Sequence, residues 1–277
     1  MCFTFEKITA MKKIVLLVCL TSGLYAGAQM KEGKVVYERT SQIQRRNMSP
    51  DVANMLPRER KDNFELLFAN NQSLWRTLQT ADETNNSFSG TSASGQAMSF
   101  TMVRSNELIH FNFDTKKRTD QRELFEREYL VEDSIRSLSW KLSEETKTIL
   151  GHPVRKAMAQ RISMRTQTIM ENGEMKRQQM PDTAQVVAWF ATDIPVSAGP
   201  GEFQGQLPGL ILELNVDNGR QVFLAVELSP KVKASDIKEP KKGKRLTEQE
   251  FAQERNKLTE EMRKNMPAGQ TMRFMQQ

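Results

Sequence analysis

Residues 210–228 read LILELNV, DNG, RQVFLAVEL: two apolar runs, Leu210–Val216 and Arg220–Leu228, around Asp217-Asn218-Gly219. An Asn-Gly pair between alternating apolar runs is the strongest short-range signal for a β-hairpin. Its register can be argued from the side chains. A two-residue loop places Val216 opposite Gln221 and Glu213 opposite Leu224, mixing polar and apolar faces. A three-residue loop places Leu214 opposite Val222, Leu212 opposite Leu224 and Leu210 opposite Val226, which makes one face wholly aliphatic. Because a one-residue slip moves every side chain to the other face, the sequence predicts the three-residue loop, with Gly219 left-handed.

The rest of the chain follows the same pattern of short apolar or alternating runs divided by turn residues. Lys34–Ile43 reads as a first strand. Phe64–Ala69 and Ser73–Leu78 form a hairpin around Asn70-Asn71. Glu107–Phe113, Glu123–Val131 and Ile135–Lys141 are further strands. Ala157–Met170 and Lys176–Val187 flank the Asn-Gly turn of Glu171-Asn172-Gly173. Residues 50–61 suit a short helix broken by Pro57, and residues 81–96, rich in Ser, Thr, Asn and Gly, suit a loop. The expected fold is mainly β: a curved antiparallel sheet, open or curled as far as a half-barrel, with a peripheral C-terminal helix.

That helix has a complete start signal. Thr247 is the N-cap, Glu250 closes a capping box, and Leu246 is placed to staple onto Phe251. Its apolar stripe, Phe251, Leu258 and Met262, is narrow, and the helix should end near Asn265, ahead of Pro267 and Gly269.

The N-terminus reads as a cleavable secretory signal. Lys12-Lys13 precede an apolar run from Ile14 to Leu24, and Ala26-Gly27-Ala28 presents small residues to a signal peptidase. The run is 11 residues, too short for the roughly 20 that a membrane span needs. Cys19 follows Val18 rather than a small residue, which argues against a lipoprotein signal. Cleavage is expected after Ala28, and residues 1–10 read as lying upstream of the true start at Met11. The organisation is therefore 1–28 leader, 29–230 a single antiparallel β domain, and 231–277 a basic linker plus charged helix. The expected location is the periplasm or the outer membrane.

The chain carries 40 basic and 34 acidic residues, net +6. The leader holds Lys7, Lys12, Lys13 and Glu6, so the exported part is net +4. It also takes away both cysteines, Cys2 and Cys19, leaving no disulfide, thiolate metal site or cysteine nucleophile. The excess charge sits in residues 231–245 (KVKASDIKEPKKGKR), with seven basic and two acidic residues. That run suits either an anionic surface or a solvated linker. Nucleic acid is not an expected partner for an exported chain.

No recognisable catalytic motif is present. The histidines, His110 and His152, lie in no metal-ligand spacing, and there is no GxSxG. A hydrolase built from carboxylates distant in sequence is the alternative reading. The 14 methionines beyond Met1 and Met11, several of them at 158, 164, 170, 175 and 180, suit copper(I) or an adaptable apolar surface. No cofactor is expected.

The stretch Trp189–Leu214, WFATDIPVSAGPGEFQGQLPGLILEL, closely resembles the GLPGLI family of exported proteins of Gram-negative bacteria. Trp140–Ala157 and Glu239–Phe251 resemble the flanking segments of that family. Gln206 replaces the first glycine of the hexapeptide, and Val154 stands where many members carry a cysteine. The resemblance implies no established activity. Residues Leu207, Pro208, Gly209, Leu210 and Ile211 are the candidate site, read either as a binding loop or as a fold-defining corner. Pro208 and Gly209 suit positions i+1 and i+2 of a type II turn, with positive φ at Gly209. The expected protein is a non-enzymatic binding or scaffold protein for a lipid, a hydrophobic ligand or an outer-membrane or other envelope partner.

Overall fold

The computed structural model describes residues 29–45, 53–54, 56–78, 87–91, 97–101, 106–171 and 174–264. The leader, residues 50–52 and 55 of the helix expected at 50–61, and Pro267 and Gly269 lie outside them; residues 53 and 54 are helical, but β2 already begins at Glu59, so the helix does not extend over 50–61.

Twelve strands form one open sheet: β1 (Gly33–Gln42), β2 (Glu59–Ala69), β3 (Gln72–Thr77), β6 (Leu108–Asn112), β7 (Lys117–Leu124), β8 (Arg127–Ser134), β9 (Lys141–Ile149), β10 (His152–Glu171), β11 (Glu174–Ala191), β12 (Ile211–Val216), β13 (Gln221–Ser229) and β14 (Lys244–Thr247). Their order is β14-β8-β7-β6-β3-β2-β1-β13-β12-β11-β10-β9. Among the described residues, only β14, against β8, is parallel. Strands β4 (Ser87–Thr91) and β5 (Ala97–Thr101) pair as a separate hairpin. One helix, α1 (Glu248–Lys264), follows β14. The mainly β fold, open sheet and C-terminal helix are those the sequence predicts.

The inner face holds the main core. Cross-strand partners Tyr37 and Phe64, with Trp75 and Phe223, form an aromatic cluster. Phe64 stacks on Trp75 at 4.8 Å, and the edge of Phe223 meets Trp75 at 6.0 Å. Offset and edge-on pairs of this kind add about 0.5–1.5 kcal/mol beyond their burial.

This cluster corrects the expected hairpin register. Leu214 lies opposite Phe223, Glu213 opposite Leu224 and Val216 opposite Gln221. The register is that of the two-residue loop, and the turn spans Asp217–Arg220, with positive φ at Asp217 (55°), Asn218 (52°) and Gly219 (88°) and the Arg220 amide donating to the Asp217 carbonyl at 3.1 Å. Gly219 is left-handed as expected, but the faces are exchanged. The sequence argument assumed that the aliphatic residues of β13 go inward. Phe223 goes inward instead, because Phe64 and Trp75 are there to receive it, and Leu224 and Val226 face out.

Three further expectations change. Glu123–Val131 is not one strand: Phe125 and Glu126, both with positive φ, turn the chain between β7 and β8. Ile135–Trp140 is a strandless crossing segment, and β9 starts at Lys141. The loop expected over 81–96 contains β4.

Two segments cover the sheet. Residues 192–210 fill the inner face with Ile194, Ala198, Phe203, Leu207 and Leu210. On the outer face, Lys34, Leu67, Leu74, His110, Thr119 and Glu132 form one cross-strand row, which runs from Ser229 to Thr247. Residues 230–243 cover it, with Ile237 buried beside Leu67 and Leu74, and Glu239 accepting from Thr119 Oγ1 at 3.0 Å. The basic run is thus a strap across the sheet.

Strands β10 and β11 pair from Val154↔Ala191 out to Glu171↔Glu174. Their neighbours stop much earlier, β9 at Met158 and β12 at Val186. The remainder is a two-stranded ribbon extending about 40 Å, at roughly 3.4 Å per residue.

The register has a direct check. Phe223→Ala should cost about 3–5 kcal/mol, as core aromatic truncations do, whereas Leu224→Ala should cost less than about 1 kcal/mol. Urea denaturation of the two variants should show that order, and the reverse would restore the sequence-based register.

Candidate functional site

The candidate residues Leu207, Pro208, Gly209 and Leu210 end the covering loop, and Ile211 opens β12. Leu207, Gly209, Leu210 and Ile211 are buried, and Pro208 is exposed. The backbone is stitched to its surroundings: Ala191 N–H donates to Leu210 O at 2.7 Å, Leu210 N–H to Ile194 O at 3.1 Å, and Ile211 N–H to Ala198 O at 3.0 Å. The fully buried Tyr37 hydroxyl donates to Ile211 O at 2.5 Å, and burial pushes its ionisation far above the ordinary range.

The expected type II turn is not formed. Gly209 does not have positive φ; that conformation belongs to Gly205 (74°). Glycine is required at 209 for space, since a Cβ there would sit 1.9 Å from the Ala191 carbonyl oxygen. The substituted position is also accounted for. Gln206 Oε1 accepts from the Leu138 amide at 3.1 Å and from Trp140 Nε1 at 3.0 Å, while its Nε2 donates to Glu202 O at 3.1 Å. Gln206 therefore ties the loop to the crossing segment. Nearby, buried Gln204 accepts from Ser73 Oγ at 2.6 Å. These contacts hold a packed corner, and they leave no polar group of the motif directed at a reactant.

Two acidic clusters bear on the hydrolase reading. Arg39 donates to Glu107 Oε1 at 2.7 Å and to Asp62 Oδ2 at 3.1 Å, with its guanidinium 4.4 Å above the Phe64 ring. Burial opposes ionisation of Asp62, but Arg60 and Arg39 outweigh it and hold the carboxyl below its ordinary range. A general acid working near neutral pH needs the opposite shift. Asp120 does have that shift, raised by burial against the pull of Arg122 and Arg118, but both arginines bond it, at 2.8 and 3.2 Å.

His110 is buried beneath the strap, with Nε2 3.0 Å from Gln72 Oε1. His152 lies across the molecule, with Nδ1 2.8 Å from Asp193 Oδ2. Among the described residues no three His, Cys, Asp or Glu side chains cluster to hold a metal. Met164 lies opposite Pro181 and Met180 opposite Arg165, so these two methionines alternate onto opposite faces of the ribbon.

The feature that the motif search missed is on the outer face. The row Lys156–Trp189–Glu213–Leu224–Glu38 crosses five strands, and Met158–Val187–Asn215–Val222–Thr40 runs beside it. Leu224 and Val226 are 40% and 48% exposed, and on the ribbon Ile162 and Met164 are 70% and 61% exposed. Lys147 Nζ sits 4.3 Å over the Trp189 ring and 2.5 Å from Glu213. The sequence did carry a signal. Val222–Val226 is apolar at every position, the pattern of a strand covered on both sides.

Residues 140–213 match the family model Porph_ging, described as a protein of unknown function. No curated protein matches. Among solved structures, PNGF-II in C2 and in P21 space groups is similar, each at 14% identity and a TM-score of 0.49, over 80% of this chain and 32% of that one. The chain spans about a third of the length of that protein.

Two outcomes test these placements, one for the corner and one for the histidine beneath the strap. Gly209→Ala should destabilise by about 3 kcal/mol or more, the upper end for forced overpacking, because only backbone can yield. Burial holds the His110 imidazole below its ordinary 6.5, with Lys117 adding to the effect and Glu239 opposing it. The unfolded chain then takes up the proton first as acid is added, so stability is full above pH 6.5 and falls as pH drops through that value. His110→Asn should flatten the urea midpoint between pH 7.5 and 5.5; an unchanged slope would assign the dependence elsewhere.

Proposed function

We propose that this is a non-enzymatic cell-envelope protein that acts by binding another protein on its outer face. The observation that carries the reading is the set of exposed apolar side chains on this face, Leu224 and Val226 on β13 and Ile162 and Met164 on the ribbon, with the half-buried Trp189 between them. Large apolar side chains left exposed together on one face, here interleaved with Lys156, Glu213 and Glu38, mark a candidate interaction surface. A broad sheet face suits a protein surface, whereas small ligands occupy concave pockets. The inner face, where a lipid carrier would hold its cargo, is filled by the chain's own residues 192–210. The export leader and the resemblance to GLPGLI proteins support the envelope location.

A photoreactive residue at position 224, with one at buried position 214 as control, tests the surface in the producing cell. A discrete protein adduct from 224 alone is expected. Co-purifying lipid in native mass spectrometry, with no adduct at 224, would overturn the reading. The exported protein should begin at Gln29 by intact mass, and a chain lacking residues 1–28 should remain in the cytoplasm.

A further inference from the structure

Strand β14 is four residues long, parallel in an otherwise antiparallel sheet, and lies at its edge. It covers β8, whose Tyr129, Leu130 and Val131 are buried. An uncovered edge of that composition is a template for pairing with another strand. The contacts made by residues 244–251 are those of a ligand in a site. Leu246 aligns with Val131 and packs with Tyr129 and Phe251. Glu248 takes both branches of the Arg122 fork at 2.9 and 3.0 Å, while Arg122 Nε holds Asp120 at 2.8 Å. Phe251 meets Tyr129 edge-on at 5.5 Å and lies under the Arg122 guanidinium at 5.1 Å. Gly243, at φ 125°, lets the strap reach the site, because a Cβ there would be 2.8 Å from the Glu128 backbone.

We propose that the β8 edge and Arg122 form a docking site for a strand followed by a carboxylate and an aromatic ring, filled at rest by the chain's own Lys244–Phe251 and able to accept the same segment from a second copy. The occupant follows from complementarity: every contact of the site is made with this sequence, so a second copy brings a ligand that fits. The covalent link between site and segment is the strap alone. It crosses seven interstrand spacings from β13 to β14, roughly 34 Å at about 4.8 Å each. Residues 230–243 reach about 50 Å when extended, at 3.3–3.6 Å per residue. The tether therefore spans its path with modest slack, and within one chain it gives the segment a high effective concentration. Shortening it below the span would leave the segment only a neighbouring copy's site, the exchange seen in domain-swapped dimers.

Deleting Lys231–Asp236 shortens the reach to about 30 Å on the same per-residue length. Light scattering should show the full chain with this deletion as a dimer, and the deletion combined with Arg122→Ala as a monomer. A monomeric deletion variant, or a dimer indifferent to Arg122→Ala, would overturn the proposal. A second measurement decides the matter even where the deletion fails to fold. A fluorescein-labelled peptide of residues 243–264 should bind saturably to the full-length Phe251→Ala protein, and at least tenfold more weakly once Arg122→Ala is added. No binding to the Phe251→Ala protein, or binding independent of Arg122, would remove the site.

Discussion

An open sheet with apolar residues on both faces must be covered twice, and this chain supplies both covers from its own connections. The inner cover is the 192–210 loop, which rests on the Tyr37–Phe64–Trp75–Phe223 cluster and is pinned by the Tyr37 hydroxyl. The outer cover is the strap, seated through Ile237 and Glu239. Burial of this kind stabilises at roughly 25 cal/mol per Å² of apolar surface removed from water, and it is what selects the register of β12 and β13. With Phe223 turned inward, Leu224 and Val226 have nowhere to go but outward. The exposure of Leu224 and Val226 is thus a consequence of how the inner core is filled.

Polar residues finish the covers where apolar ones run out. Arg39 ends the inner stripe of β1, stacked on Phe64 and neutralised by Asp62 and Glu107. Arg122 does the same near the far edge, between Asp120 and Glu248. Losing one partner of a buried pair costs about 3–5 kcal/mol because the other charge is left buried, and this applies to Arg39–Asp62 rather than to the more exposed Arg122–Glu248.

Much of the fold was legible in the sequence. Alternation marked β1, the β2–β3 hairpin, the β10–β11 ribbon and the β12–β13 hairpin, and the capping box marked α1, whose Thr247 and Glu250 bond as expected. Other features were not legible because their cause lies elsewhere in the chain. Phe125-Glu126 carries no turn-forming residue type, yet both residues adopt positive φ. Gly209 looked like a turn glycine and is instead a close-approach glycine, a distinction set by the Ala191 carbonyl. The basic run at 231–245 read as a linker because charge dominates its composition, while its anchors, Ile237 on Leu67 and Leu74 and Glu239 on Thr119, find partners more than 100 residues away. The candidate motif itself was visible, but its environment was not.

The position of β1 carries a kinetic consequence. Its two neighbours are β2, next in sequence, and β13, about 190 positions later. Closing so long a loop delays the pairing, and sheets dominated by distant contacts fold slowly. The N-terminal strand therefore waits beside a half-built edge until nearly the whole chain is available. A polypeptide that completes its core only after its last strands emerge keeps a partly paired sheet through most of its synthesis.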